Sequence, residues 1–244
     1  AIVIVHWGGQ PCDMQEILDI GKKYNIKIVE DAAHALRSSY KGEKIGNHGD
    51  FVVFSFQAVK HLTTADGGAI ACKSKEDAER IRKLRWFGLD RKYEGPSRWE
   101  QDIKESGFKF HMNNMNACIG LEQLKHIDSL IDRHVENGYY LKKKISSRHV
   151  KALDCKDDRR SSFWIFSVLV EDKNKFKEYM KSKGIATDVA HVSNLRYTVF
   201  DKFKDNSLKN LEYFDSRLMN IPCGWWVSYQ DLIKITNAVN AYKG

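Results

Sequence analysis

Short apolar runs alternate with amphipathic stretches along the first half of the chain. The runs fall at residues 1–5, 26–29, 51–54 and 69–72, and each has the length and composition of a buried strand. Between the first two runs, apolar residues recur at helical spacing after a helix-capping aspartate (Asp13, then Met14, Ile17, Leu18 and Ile20). A strand–helix–strand rhythm predicts a mostly parallel sheet with right-handed crossovers.

Later segments carry weaker patterns. Ser74 is expected to cap a helix that reaches Leu84, and residues 86–107 have the composition of a long surface loop. A single long helix is predicted over 113–133, with five side chains facing inward: Met115, Cys118, Ile119, Leu121 and Leu124. Turn-rich and polar breaks are expected at 38–46 and 156–160.

The remainder of the chain predicts a smaller α/β domain. Strands are expected at 163–170, 184–187 and 218–222, and helices at 174–183 and 229–242. We therefore predict two domains, a partial large domain over 1–133 and a small carboxyl-terminal domain over 134–244.

Composition narrows the class of protein. Of 244 residues, 42% are hydrophobic and 30% charged, which is typical of an ordinary globular chain. No apolar run is long enough to span a membrane, so no membrane association is expected. The five cysteines form no CxxC pair, which favours reduced thiols in a cytoplasmic protein and neither a disulfide framework nor a metal site. The net charge of +8 suits an acidic substrate or nucleic acid.

One lysine stands out by its position. Lys60 lies in a loop with three hydroxyl side chains and a Gly-Gly pair, between the runs at 51–54 and 69–72. An amine held between core strands can have its pKa lowered until it becomes a usable nucleophile. A solvent-facing loop lysine is the alternative, and the loop by itself favours that alternative.

A carboxylate and a hydroxyl complete the pattern around Lys60. Asp31 directly follows a predicted strand, and Ser55 ends another. Ligands bind at the carboxyl ends of strands in open α/β sheets. Pyridoxal phosphate requires three groups of a protein: a lysine for its aldehyde, a carboxylate for its protonated ring nitrogen and a hydroxyl for its phosphate.

The segments that carry these residues resemble the DegT/DnrJ/EryC1/StrS family of sugar aminotransferases. The matching segments are His6–Pro11, Val29–Ala35, Gly49-Asp50, Ser55-Phe56 with Lys60, Gly67-Gly68, Gly107–Asn114 and Gly120–Leu124. The resemblance implies an α/β fold of the aspartate-aminotransferase-like type (fold type I), with pyridoxal phosphate as cofactor. It also implies a preceding segment of roughly a hundred residues that completes the sheet and the phosphate site. A strand as apolar as 1–5 is usually covered on both faces by neighbouring elements, which agrees with this implication.

The resemblance implies a role for each matching residue. Lys60 would hold the cofactor covalently and then act as the base, and Asp31 would keep the pyridine nitrogen protonated. Ser55 would bind the phosphate, and His34, where glutamine is common in the family, would sit beside the ring. A plain buried histidine is the alternative for His34.

Further residues are implied in substrate binding and assembly. Lys109 stands where the family often carries an asparagine that reaches the phosphate of a partner subunit, so a homodimer is expected. His111 stands where many members carry arginine. Three arginines are candidates for contact with the diphosphate of a nucleotide-linked substrate, or else belong to a solvated basic loop: Arg85, Arg91 and Arg98.

The expected reaction is transfer of an amino group from an amino acid, glutamate in our prediction, to a nucleotide-linked keto sugar. A dehydratase of the same fold carries histidine in place of the lysine, and here Lys60 occupies that position with His61 only its neighbour. A basic nucleic-acid-binding regulator is a second alternative, but the lysines and arginines do not cluster with interleaved aromatic residues. An inert structural remnant is the third.

Overall fold

The computed structural model describes residues 1–204 and 207–244. The strands are β1 (Ile2–Val5), β2 (Ile28–Asp31), β3 (Ser39–Tyr40), β4 (Glu43–Lys44), β5 (Phe51–Ser55), β6 (Gly68–Cys72), β7 (Val150–Ala152), β8 (Arg159–Arg160), β9 (Phe166–Val170) and β10 (Leu218–Ile221). The α-helices are α1 (Met14–Tyr24), α2 (Lys75–Leu84), α3 (Asn114–Leu124), α4 (Ile127–Lys144), α5 (Lys173–Ser182), α6 (Lys209–Arg217) and α7 (Tyr229–Ala241). No helix among these residues is long and apolar enough to cross a membrane.

The chain forms two compact units. The first comprises Ala1–Asp128 with Asp158–Arg160, and the second comprises Ser129–Asp157 with Ser161–Gly244. The domain boundary that we placed at residue 133 from the sequence stays a prediction.

The first unit is built on a four-stranded sheet in the order β1-β2-β5-β6. The first three strands are parallel and β6 runs antiparallel to β5, so the predicted mostly parallel sheet is present. One face packs on α1, where Met14, Val52 and Ile4 share a core. The opposite face is open: Val3 is 67% exposed and Ile70 is 47% exposed. Apolar side chains therefore line a surface of this unit.

The segment 38–46 forms a tight hairpin in which β3 pairs with β4. Its two loop residues, Lys41 and Gly42, both have positive φ (47° and 86°), as a type I′ turn requires. The polar break expected at 156–160 is wrong in part, because Arg159 and Arg160 form a strand on β3. Arg159 is buried there and donates to the Pro11 carbonyl at 2.8 Å and to Asp13 Oδ1 at 2.6 Å. Asp13 therefore binds this guanidinium and makes no side-chain cap to α1.

The second unit contains an antiparallel sheet, β10-β9-β7. Helices α5 and α7 pack on it through a core that includes Phe176, Met180 and Val239. The strand expected to begin at 184–187 is reduced to one bridge: Ile185 donates its N–H to the Met180 carbonyl at 3.0 Å and so completes the end of α5. Pairing with β10 begins only at Asp188, which forms an isolated antiparallel bridge with Asn220. Ser228 caps α7 with a reciprocal capping box, as a serine at that place predicts.

The single helix predicted over 113–133 is also wrong. Helix α3 ends at Leu124 and α4 begins at Ile127, because Lys125 and His126 bond to carbonyls three residues back and close tight turns. The five side chains expected to face inward are exposed instead: Met115, Cys118, Ile119, Leu121 and Leu124. The apolar pattern of α3 therefore marks a surface of this chain and not its core.

Candidate active site

Asp31 and Ser55 lie on the same face of the first sheet. Asp31 ends β2 and is in register with Val53 of β5, and Ser55 ends β5 two residues later. Residues two apart on a strand point to the same face, so both polar side chains stand on the open face of the sheet. The Asp31 carboxylate is fixed locally, because Oδ1 accepts the Ala33 N–H at 3.0 Å.

Lys60 lies in the loop that leaves this end of β5, and it is partly buried. Burial lowers the pKa of its ammonium group below the ordinary value, and the negative charge of Asp31 acts in the opposite direction. The desolvation effect is the larger of the two. The structure therefore brings the sequence-predicted lysine within the electrostatic reach of the sequence-predicted carboxylate.

His34 is placed by the turn that follows β1. Trp7–Gly9 form a short 3-10 turn in which Gly8 has a φ of 61°, and the Gly8 N–H points to His34 Nδ1 at 3.4 Å. Because Nδ1 accepts this bond, the proton of a neutral His34 ring is on Nε2. The imidazole is buried and packs edge-on against Trp7, with 6.1 Å between ring centroids.

A buried pair behind the sheet was missed at the sequence level. Glu30 precedes Asp31 in β2 and is fully buried, and its Oε2 lies 2.8 Å from Nε2 of the equally buried His6. The second carboxylate oxygen of Glu30 accepts the N–H of Gly49. Alternation along β2 was the available signal, because a carboxylate next to Asp31 must point into the core and needs a partner there.

Two of the three candidate arginines lie together. Arg85 and Arg91 line one cleft of about 450 Å³, whose other lining residues are Glu79, Arg82, Lys83, Leu89, Asp90 and Lys92. The Arg91 guanidinium also lies 5.4 Å from the centre of the Trp86 ring. Arg98 does not line this cleft and stacks on Trp99 at 4.4 Å.

Lys109 is exposed on a short bridge in which its backbone pairs with Trp86. Its neighbours Phe108 and Phe110 stack on each other at 4.9 Å, so the lysine alternates with two rings on the extended segment. His111 packs edge-on against Trp86, with 4.1 Å between ring centroids. The apolar cleft beside these rings has a volume of about 600 Å³ and includes Val53 and Ile70 of the open sheet face.

Comparison with known proteins identifies relatives that match almost the whole chain. Residues 1–240 match the sequence profile of the DegT/DnrJ/EryC1/StrS aminotransferase family. Among curated relatives, an uncharacterized protein of Methanocaldococcus jannaschii, MJ1066, is 32% identical over 98% of this chain and 66% of its own length. A UDP-4-amino-4,6-dideoxy-N-acetyl-beta-L-altrosamine transaminase of Campylobacter jejuni is 30% identical over 95% of this chain and 62% of its own length.

Solved structures give the same answer for the fold. AtS13 from Actinomadura melliaura superimposes with a TM-score of 0.94 at 32% identity, covering 100% of this chain and 66% of that one. The fold-type-I architecture predicted from the sequence is thereby confirmed. The chain spans 62–66% of the lengths of these three proteins. With the profile match over nearly its whole length, the chain belongs to the DegT/DnrJ/EryC1/StrS aminotransferase family.

Proposed function

We propose that this protein is an aminotransferase that moves an amino group from glutamate to a nucleotide-linked keto sugar. The observation that carries the proposal is the placement of Asp31 and Ser55 on one face of the sheet, with Lys60 in the loop that leaves β5 and Asp31 within its electrostatic reach. The family of the chain and the name of its Campylobacter relative support the substrate class.

The residues at the open sheet face fit pyridoxal phosphate, the cofactor of this family's aminotransferases. An amine of lowered pKa, a carboxylate and a hydroxyl stand at the ends of adjacent strands and in the loop that leaves them. These are the three chemical groups that the aldehyde, the ring nitrogen and the phosphate of the cofactor need. When bound, the cofactor supplies an electron sink for the carbon that loses its proton.

Each residue has a distinct task in this proposal. Lys60 Nζ would hold the cofactor covalently and, once released from it, would act as the base that moves the proton between carbons. The Asp31 carboxylate keeps the ring nitrogen protonated, and the Ala33 N–H holds that carboxylate in place. Ser55 would donate a hydrogen bond to the phosphate, and His34, which accepts the Gly8 N–H, would sit beside the ring.

Substrate binding and assembly are further parts of the proposal. The cleft of Arg85 and Arg91 carries more cations than acids and suits a diphosphate, whereas Arg98 stands outside it. Exposed Met115 and Leu121 on α3 suit a two-fold contact between copies, in which Lys109 would reach the partner's cofactor phosphate. The five free cysteines suit the reducing cytoplasm.

The decisive experiment is covalent labelling of Lys60. The purified protein is mixed with pyridoxal phosphate, reduced with borohydride and digested, and labelled peptides are identified by mass spectrometry. We expect the label on Lys60, its loss in Lys60→Ala, and no change in the matched exposed variant Lys75→Ala. Labelling spread over surface lysines at equal yield would reject the proposal.

A measurement of enzymatic turnover is the second test of the proposal. Amination of a UDP-linked 4-keto sugar with glutamate as donor is followed by mass spectrometry. Lys60→Ala is expected to reduce turnover by at least about a thousandfold, because it removes both tether and proton carrier. Asp31→Asn is expected to keep the label on Lys60 and lose turnover, since the ring nitrogen loses its charge partner. Full turnover in either variant would contradict the assigned role.

A further inference from the structure

The loop that carries Lys60 is internally ordered. It runs from Phe56 to Gly67 and is closed at its base, where the Phe56 N–H donates to the Gly67 carbonyl at 2.8 Å. Leu62 and Thr64 within it are buried. The Thr64 N–H returns to the Phe56 carbonyl at 2.9 Å. The position of Lys60 therefore depends on how this closed loop sits against the rest of the unit.

One carbonyl joins the loop to a neighbouring helix. The main-chain oxygen of Asp66 accepts two hydrogen bonds, one from Thr64 Oγ1 at 2.9 Å and one from Asn116 Nδ2 at 2.8 Å. The first bond lies within the loop. The second crosses fifty residues of sequence to the first turn of α3, so it ties the loop to an independent element.

The same face of α3 makes a second, steric contact with the loop. Gly120 lies one helical turn after Asn116 and is buried. A Cβ atom at Gly120 would lie 2.8 Å from Thr64 Cγ2, so any larger residue would have to displace Thr64 or the helix. Asn113 fixes the start of the helix, because its Oδ1 accepts the Asn116 N–H at 2.9 Å. The side chain of Asn116 is thus presented to the loop from a capped helix end.

We propose that Asn116 is a positioning residue for Lys60, acting through the Asp66 carbonyl, with Gly120 as the small residue that allows α3 to approach. The inference rests on the proposed role of Lys60. It adds a residue outside the cofactor-binding set, and it assigns α3 two faces. One face holds the lysine loop, and the other carries the exposed Met115 and Leu121.

The test compares Asn116→Leu with Asn114→Leu, an exposed position two residues earlier on the same helix. Leucine has the same number and branching of side-chain heavy atoms as asparagine and donates no hydrogen bond. The readout is the pKa of the Lys60 amine, followed by NMR of the ¹³C-dimethylated protein, with the resonance assigned in Lys60→Arg. We expect Asn116→Leu to raise this pKa by at least about half a unit toward its ordinary value, because a released loop admits water to the amine. Asn114→Leu is expected to leave it unchanged.

Folding is checked by circular dichroism in the same samples. If Asn116→Leu fails to fold, Asn116→Ser and Asn114→Ser replace the pair, since serine is too short to reach the Asp66 carbonyl and adds no bulk. Equal Lys60 pKa values in the folded Asn116 and Asn114 variants would overturn the inference. The measurement needs no cofactor, so a failure of cofactor labelling and a failure of this proposal are seen separately.

Discussion

Replacing Glu30 with glutamine tests whether the buried pair behind the sheet is as tightly determined as its hydrogen bonds indicate. Glu30 accepts from two donors, the His6 Nε2–H at 2.8 Å and the N–H of Gly49. His6 is constrained on its other side, because Nδ1 accepts the Cys12 N–H at 3.1 Å. The proton of the ring is therefore on Nε2, directed at the carboxylate.

A carboxamide cannot reproduce this arrangement. Its oxygen accepts from one donor, and its NH₂ group then faces the other. If His6 shifts its proton to Nδ1 so that Nε2 accepts from the new NH₂ group, Nδ1–H then faces the Cys12 N–H. Two donors face each other in either tautomer. One buried donor stays unsatisfied, which costs about 1–3 kcal/mol. We expect the free energy of unfolding to fall by about 2 kcal/mol, or roughly 4–8 °C in melting temperature.

Scanning calorimetry measures the effect, and Glu16→Gln provides the control. Glu16 is exposed on α1, so its neutralisation removes the same charge without a buried partner and should change stability by less than about 0.5 kcal/mol. The melting transition is expected to move in Glu30→Gln and to stay in place in Glu16→Gln. A change no larger than that of the control would refute the reasoning about the two donors.

Three further predictions concern other parts of the chain. Burial lowers the pKa of His134, so the unfolded state binds a proton at this residue more readily than the folded state does. The free energy of unfolding should therefore fall as the pH drops below about 6.5, and urea unfolding across pH should show a smaller fall in His134→Gln. Arg159→Met should cost about 1–3 kcal/mol in thermal unfolding, because the Pro11 carbonyl and two carboxylates lose their donor. Leu121→Glu should weaken self-association in sedimentation at micromolar protein while circular dichroism is unchanged, because the side chain is 66% exposed.

The first sheet and the catalytic candidates were predictable because each depends on local pattern. The runs at 51–54 and 69–72 are bounded by turn residues, and both became strands with the lysine loop between them. Asp31 is the last residue of β2, and chain order alone places it at a carboxyl end.

Features that depend on distant partners were not predictable in the same way. The break between α3 and α4 contains neither glycine nor proline, so no local signal marks it. Arg159 lies in a polar stretch, yet it is buried, because Asp13 and the Pro11 carbonyl, nearly 150 residues earlier, satisfy it. The apolar residues of α3 gave a correct helical pattern and a wrong prediction of burial, since periodicity reports which face is apolar and not what covers it.

Two adjacent carboxylates in β2 take different roles because a strand alternates its faces. Glu30 points into the core, where His6 and Gly49 bind it, and Asp31 points to the open face that carries Ser55. A slip of β2 by one residue would exchange them and place the shorter aspartate opposite His6. The His6 N–H also donates to the Asp31 carbonyl at 3.1 Å, so the residue that holds Glu30 holds the backbone of Asp31 as well. The buried pair thus fixes the register on which the position of Asp31, the proposed catalytic carboxylate, depends.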